Sequence, residues 1–175
     1  MKLDSPAFTA ADLQHYGDEL IDHERQVLAV RLERASARLA ELGQRVGAEE
    51  RSDSADWNAI EVLAHIAVLS KFYGMLTYKI GSGQITELDL LGNVNLRDVL
   101  GEQLARESPA ALVEMAVSDH RRTVEYLRSA DAAAMRRECV IDGGRSVLRA
   151  DDMAREALIG HLEMHVDQLE RALAG

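Results

Sequence analysis

Apolar residues recur at three- and four-residue steps along most of this chain, the spacing that gathers side chains on one face of an α-helix. The first run carries Leu13, Tyr16, Leu20, Val27, Ala35, Leu39, Leu42 and Val46, and Thr9-Ala-Ala-Asp12 ahead of it has the form of a capping box. It predicts one long amphipathic helix to about Val46, followed by a polar connection over 47–56. The second run is Val62, His65, Leu69, Phe72 and Leu76; it starts at Asn58, with Glu61 three positions on to return the capping bond, and ends near Gly81. A connection with several glycines, Ser82 to Glu107, holds a short helix starting after Asn95. Ser108-Pro109 pairs a cap with a residue lacking an N–H that the first turn cannot use, and opens a third helix to about Ser129. Residues 130–150 read as irregular, with one or two helical turns after Asp131 and a hairpin pairing Val140-Ile141 with Val147-Leu148 around Asp142-Gly143-Gly144. The fourth helix begins near Asp151 or Asp152 and runs to about Leu173.

Four helices of about 20 residues or more, each with one apolar face, bury those faces against one another as a four-helix bundle. Composition agrees: two prolines and 4% aromatics suit helices better than sheets, which favour β-branched and aromatic residues. The expected class is all-α, with short extra helices in the long connections. A length of 175 residues, 47% of them hydrophobic, supports a single domain over 1–175. The short 47–56 connection predicts that the first two helices are antiparallel neighbours, while the longer connections leave the order of the others open.

Charge narrows the partners. Twenty Lys and Arg stand against thirty Asp and Glu, a formal charge of −10, which opposes binding to nucleic-acid phosphates or anionic lipid. The lone cysteine, Cys139, permits neither an intrachain disulfide nor a cysteine-based zinc cluster. It follows Arg136 and Arg137 in a loop-like stretch and reads as incidental rather than as a catalytic thiol. The start, MKLDSPAFTA, lacks the apolar core of a signal peptide, and no uninterrupted apolar stretch is long enough to span a bilayer, so a cytoplasmic location is expected.

The six histidines, at 15, 23, 65, 120, 161 and 165, carry the chemistry. His161 and His165 are one turn apart on the fourth helix, on the stripe that also holds Ala154, Leu158, Leu169 and Ala172. Imidazoles withdrawn from water need polar partners, and a metal is one. His65 lies on the apolar stripe of the second helix, so three imidazoles from two helices can form a site for a borderline metal such as zinc or nickel, with positions left for water or substrate. A hydrogen-bonded core pair is the alternative. H-L-E-M-H is not the protease motif H-E-x-x-H, because Glu163 lies about 200° around the helix from His161. The paired Glu-x-x-His of ferritin-like di-iron bundles is absent. His120 shares a stripe with Val113, Val117, Val124 and Leu127 and reads as a hydrogen-bonded core histidine. Glu61 reads as a cap, and Gln168, one turn after His165, as an outer-shell partner or as polar surface. His15 and His23 fall roughly 15 to 35 Å from His65 by helical rise, too far to ligate.

Trp57-Asn58-x-x-Glu61-Val62-Leu63-Ala64-His65, followed by Leu158-x-x-His161-x-x-x-His165-x-x-Gln168-Leu169, resembles the DinB-like family of four-helix-bundle metalloproteins over nearly the whole chain. The resemblance implies an up-down-down-up bundle and a divalent metal, zinc or nickel, on His65, His161 and His165. It further implies an enzyme joining a low-molecular-weight thiol (bacillithiol, mycothiol or glutathione) to an electrophile, or a related mycothiol-dependent maleylpyruvate isomerase. A homodimer is implied as well. Counting back from the first connection brings Arg34 and Arg38 level with His65, where either can hold the carboxylate of an anionic thiol; a solvated arginine face is the other reading. A non-catalytic metal-binding bundle that acts through self-association or a protein partner is the alternative from a different class.

Overall fold

The computed structural model describes residues 9–47, 57–90, 92, 99–101, 103–104 and 106–174, and the chain is mostly helical. Helix α1 spans Ala10–Gly43, opened by Thr9 and Asp12 as a complete capping box. Helix α2 spans Ala59–Gly81; the Asn58 side chain accepts from Glu61 N at 2.9 Å and the Glu61 carboxylate accepts from Asn58 N at 3.1 Å. Helix α3 spans Pro109–Ser129 behind the Ser108 cap, and α4 is the single turn Ala132–Met135 capped by Asp131. The last rod is continuous from α5 (Ala150–Asp152) through a π-helical run (Met153–Gly160) into α6 (His161–Ala174). The polar 47–56 connection, apart from Gly47, and the start of the helix expected after Asn95 lie outside the described residues; residues 99–101, 103 and 104 are helical.

The hairpin forms where the turn residues put it. Strand β2 (Glu138–Ile141) pairs antiparallel with β3 (Ser146–Arg149), and the short β1 (Glu87–Leu88) adds in parallel to the other edge of β2. Asp142, Gly143 and Gly144 all have positive φ, which glycine adopts freely and aspartate tolerates. The Asp142 carboxylate also accepts Leu90 N at 2.7 Å, closing the 82–90 connection onto the turn.

Helix directions follow from the side chains that meet. Arg25 donates to the carbonyls of Leu127 and Arg128, Arg128 pairs with Glu33, and Gly43 lies against Val113, so α1 and α3 run antiparallel. Ser70 meets His120, Gly74 meets Thr123 and Gly81 meets Tyr126, so α2 and α3 run parallel. Glu24–Arg155, Arg31–Glu163 and Arg38–Asp167 set α1 parallel to the last rod. The expected contact between the first two helices is corrected: α1 and α2 each pack on α3 and on the last rod and scarcely touch one another. Ten linking residues reach about 30 Å when extended, so the connection can cross a diagonal as readily as it can join neighbours.

Helix α2 is the most enclosed element, and its buried hydroxyls at Ser70 and Thr77 are bonded back to Ile66 O and Tyr73 O. By length and composition it is the one helix among the described residues that passes for a membrane span, but Lys71 interrupts its apolar run, and 72% of that window is buried inside the protein. On α1 the buried stripe is Leu28, Leu32, Ala35, Leu39 and Leu42, whereas Leu13, Tyr16, Leu20 and Val27 are exposed. On the last rod Ala172 is exposed and Leu173 packs against the core in its place.

Close helix contact depends on small residues. A methyl added at Gly43 would come within 2.3 Å of Val113 Cγ2, on a side chain that is stiff about χ1. Gly43→Ala should therefore lower stability by about 1–3 kcal/mol, read from urea unfolding, even though alanine is the better helix former. A more stable variant would show that α1 and α3 are not this close.

Candidate metal centre

His65 comes from the second turn of α2, and His161 and His165 come from the first turns of α6, immediately after the π-helical run. A π turn holds more residues than an α turn, so eight of them rotate the rod's face away from where α periodicity would leave it. That rotation shifts the phase of His161 and His165 relative to the residues ahead of the run.

The ring centroids are 4.5 Å apart for His65 and His165, 4.6 Å for His161 and His165, and 5.5 Å for His65 and His161. One nitrogen from each ring lies within 4.8 Å of the other two. Metal–nitrogen bonds of about 2.1 Å at tetrahedral angles hold such nitrogens about 3.4 Å apart, a contraction that small side-chain rotations supply. The donors are three neutral-capable imidazoles with no thiolate, a set that suits zinc, nickel and copper. These three residues can hold a metal ion. His165 is buried while His65 and His161 are half-buried, so the cluster sits at the edge of the packed interior.

The surroundings orient the rings. His165 Nδ1 is 2.7 Å from Gln168 Oε1; a carbonyl oxygen accepts, so Nδ1 carries the proton and Nε2 keeps the lone pair. Gln168 therefore does more than fill polar surface. Gln168→Ala should weaken metal binding about 10-fold with helicity unchanged, followed by metal titration of tryptophan fluorescence. Trp57, the chain's one tryptophan, lies 4.6 Å from His65 in a tilted contact and stacks on His165 at 6.0 Å. Buried Tyr73 lies 6.1 Å from His161. Neither aromatic is marked as a site wall by local pattern: Trp57 precedes the cap of α2, and Tyr73 reads as core.

The remaining sequence-derived candidates divide clearly. Glu163 accepts two bonds from Arg31, at 3.1 and 2.6 Å, which raises the arginine's pKa and ties α1 to the histidine helix. Arg38 is held on the same side by Asp167 at 2.5 Å and by Glu170, and Arg34 is exposed. Glu61 completes the cap of α2. His120 is buried away from the cluster, 2.7 Å from Ser70 Oγ, and burial lowers its pKa to about 4. His15 and His23 lie on the exposed side of α1. Cys139 is fully buried, and burial first, then the charge of Glu87, raises its thiol pKa.

In comparisons with known proteins, no family model, no curated protein and no solved structure matches this chain.

Proposed function

We propose that the chain is a metal-binding four-helix bundle of the DinB-like class, with α1, α2, α3 and the last rod in up-down-down-up order. The antiparallel and parallel pairings above support that order, and the extended resemblance around Trp57–His65 and Leu158–Leu169 supports the class. Within it, we read the protein as a thiol-dependent S-transferase.

One observation carries the reading: imidazoles from two helices converge with their nitrogens within 4.8 Å. Zinc or nickel held there supplies one thing, a lowered pKa for a bound small thiol such as bacillithiol, mycothiol or glutathione. The chain's residues do the rest. Gln168 holds His165 in the tautomer that presents Nε2, and Trp57 and Tyr73 line the cluster with apolar surface that limits water. Cys139 is a poor nucleophile where it lies, so the sulfur comes from the small thiol. In the transfer, a carbon–sulfur bond forms, the bond from that carbon to its leaving group breaks, and the thiol proton is released to solvent. The half-buried placement of His65 and His161 favours a reactive site over a sealed structural ion.

The protein loaded with zinc or nickel should consume one of these thiols in the presence of a chromogenic electrophile, and His165→Ala should abolish that consumption. No turnover with any of the three thiols would reject the transferase reading and leave a structural metal site.

A further inference from the structure

We propose that the outward face of α1 is the seam of an antiparallel two-stranded coiled coil formed with a second copy of this chain. Leu13, Tyr16, Leu20, His23, Val27 and Val30 follow one another at steps of three, four, three, four and three. That alternation is the 3.5-residue repeat of a coiled-coil seam. Leu13 is 62% exposed, Tyr16 60%, Leu20 52%, Val27 37% and Val30 58%, and His23 is exposed as well. The inward stripe of the same helix, Leu28 to Leu42, is centred about 110° around the axis from the centre of this seam, so α1 carries two apolar faces. Among the described residues, none of the ion pairs and side-chain hydrogen bonds that fasten α1 to the rest of its chain, through Asp18, Glu24, Arg25, Arg31, Glu33 or Arg38, uses a seam position.

Area and sequence select the partner. With the stems that flank them, these side chains offer roughly 700 Å² per copy, near the ~800 Å² a stable pair buries on each side. Related by an antiparallel two-fold axis, Leu13 faces the partner's Val30, Tyr16 the partner's Val27 and Leu20 the partner's His23. Every layer then sets a large side chain against a smaller one, as interdigitation requires. A parallel pair would instead stack Tyr16 on Tyr16 and His23 on His23, and would set Glu19 beside the partner's Glu24, a like-charge contact. The antiparallel pair puts Glu19 beside the partner's Gln26 and Glu24 beside the partner's Gly17. Its one acidic juxtaposition, Asp12 with the partner's Glu33, falls at the ends, where Glu33 is already paired with Arg128.

The test is the mass of the full chain by light scattering at micromolar concentration. The unmodified protein should run as two chains. Leu20→Glu combined with Val27→Glu should halve that mass with an unchanged helical circular dichroism spectrum, because both side chains are exposed in the single chain. Orientation follows from oxidation: Leu13→Cys with Val30→Cys should give covalent dimers, while Leu13→Cys alone should not, its two copies lying about 25 Å apart. A one-chain mass for the unmodified protein would overturn the proposal, whether the face is covered by the chain's own segments or by another protein. Cross-linking of Leu13→Cys alone would overturn the antiparallel pairing.

Discussion

His161→Ala is expected to remove stoichiometric metal from the protein while leaving its helices intact. The substitution deletes one of three nitrogen donors at a half-buried position, so little packing is lost with it. Prepared without a chelating tag, the unmodified chain should carry about one equivalent of zinc or nickel, and the variant only a small fraction of that. Metal at 100 times its dissociation constant stabilises the folded state by about 2.7 kcal/mol. For a chain of this size that corresponds to a thermal midpoint raised by roughly 5–10 °C, a shift the variant should lack. Trp57 gives an independent readout, since copper or nickel bound by His65 and His165, whose rings lie 4.6 and 6.0 Å from the indole, should quench the chain's one tryptophan. Unchanged metal content in the variant would sink the three-histidine assignment.

The second large effect is acid destabilisation through His120. Ser70 donates its hydroxyl proton to Ile66 O, so the His120 ring donates from Nε2 to Ser70 Oγ. Burial lowers its pKa from 6.5 to about 4. Above pH 6.5 the ring is neutral whether the chain is folded or not, and it adds no pH dependence. Between 6.5 and 4 the unfolded chain takes up a proton that the folded chain refuses, so stability falls as the pH falls. Below about 4 the loss levels off, at about 3 kcal/mol in total. Asp119 and Asp151, whose pKa values burial raises, push the other way at low pH. His120→Leu isolates the histidine, because the two carboxyls are common to both proteins. Urea unfolding from pH 7 to pH 4 should give a slope for the unmodified chain that is shallower in the variant by that same amount. Equal slopes would mean that His120 is charged or hydrated in the folded state.

Much of this protein is legible in the sequence because the relevant physics is local. Thr9 with Asp12, Asn58 with Glu61, and Ser108 with Pro109 satisfy their own helix ends within four residues, so they mark helix starts whatever surrounds them. Asp142-Gly143-Gly144 specifies the hairpin for the same reason: the positive φ values are a property of those residues. The four-residue spacing of His161 and His165 fixes a pair on one face. The position of His65 on an apolar stripe gives it the right direction.

Apolar periodicity says that a face exists, not what will cover it. The stripe from Leu13 to Val27 and the stripe from Leu28 to Leu42 look alike as patterns; packing against α3 and the last rod buried the second and left the first in solvent. A short connection likewise bounds only a distance, so it could not decide that α1 and α2 would lie apart. The π-helical run before His161 has no signature in MAREALIG, so the phase between the stripe ahead of it and the histidine pair could not be read from the sequence. Trp57 and Tyr73 became walls of the cluster only once two helices were set side by side. Capping, turn chemistry and helical spacing act over a few residues and were determined by the sequence alone. The meeting of His65 with His161 and His165 spans about a hundred residues, and only the tertiary packing decided it, because rings that far apart along the chain meet only after the helices between them have chosen their partners.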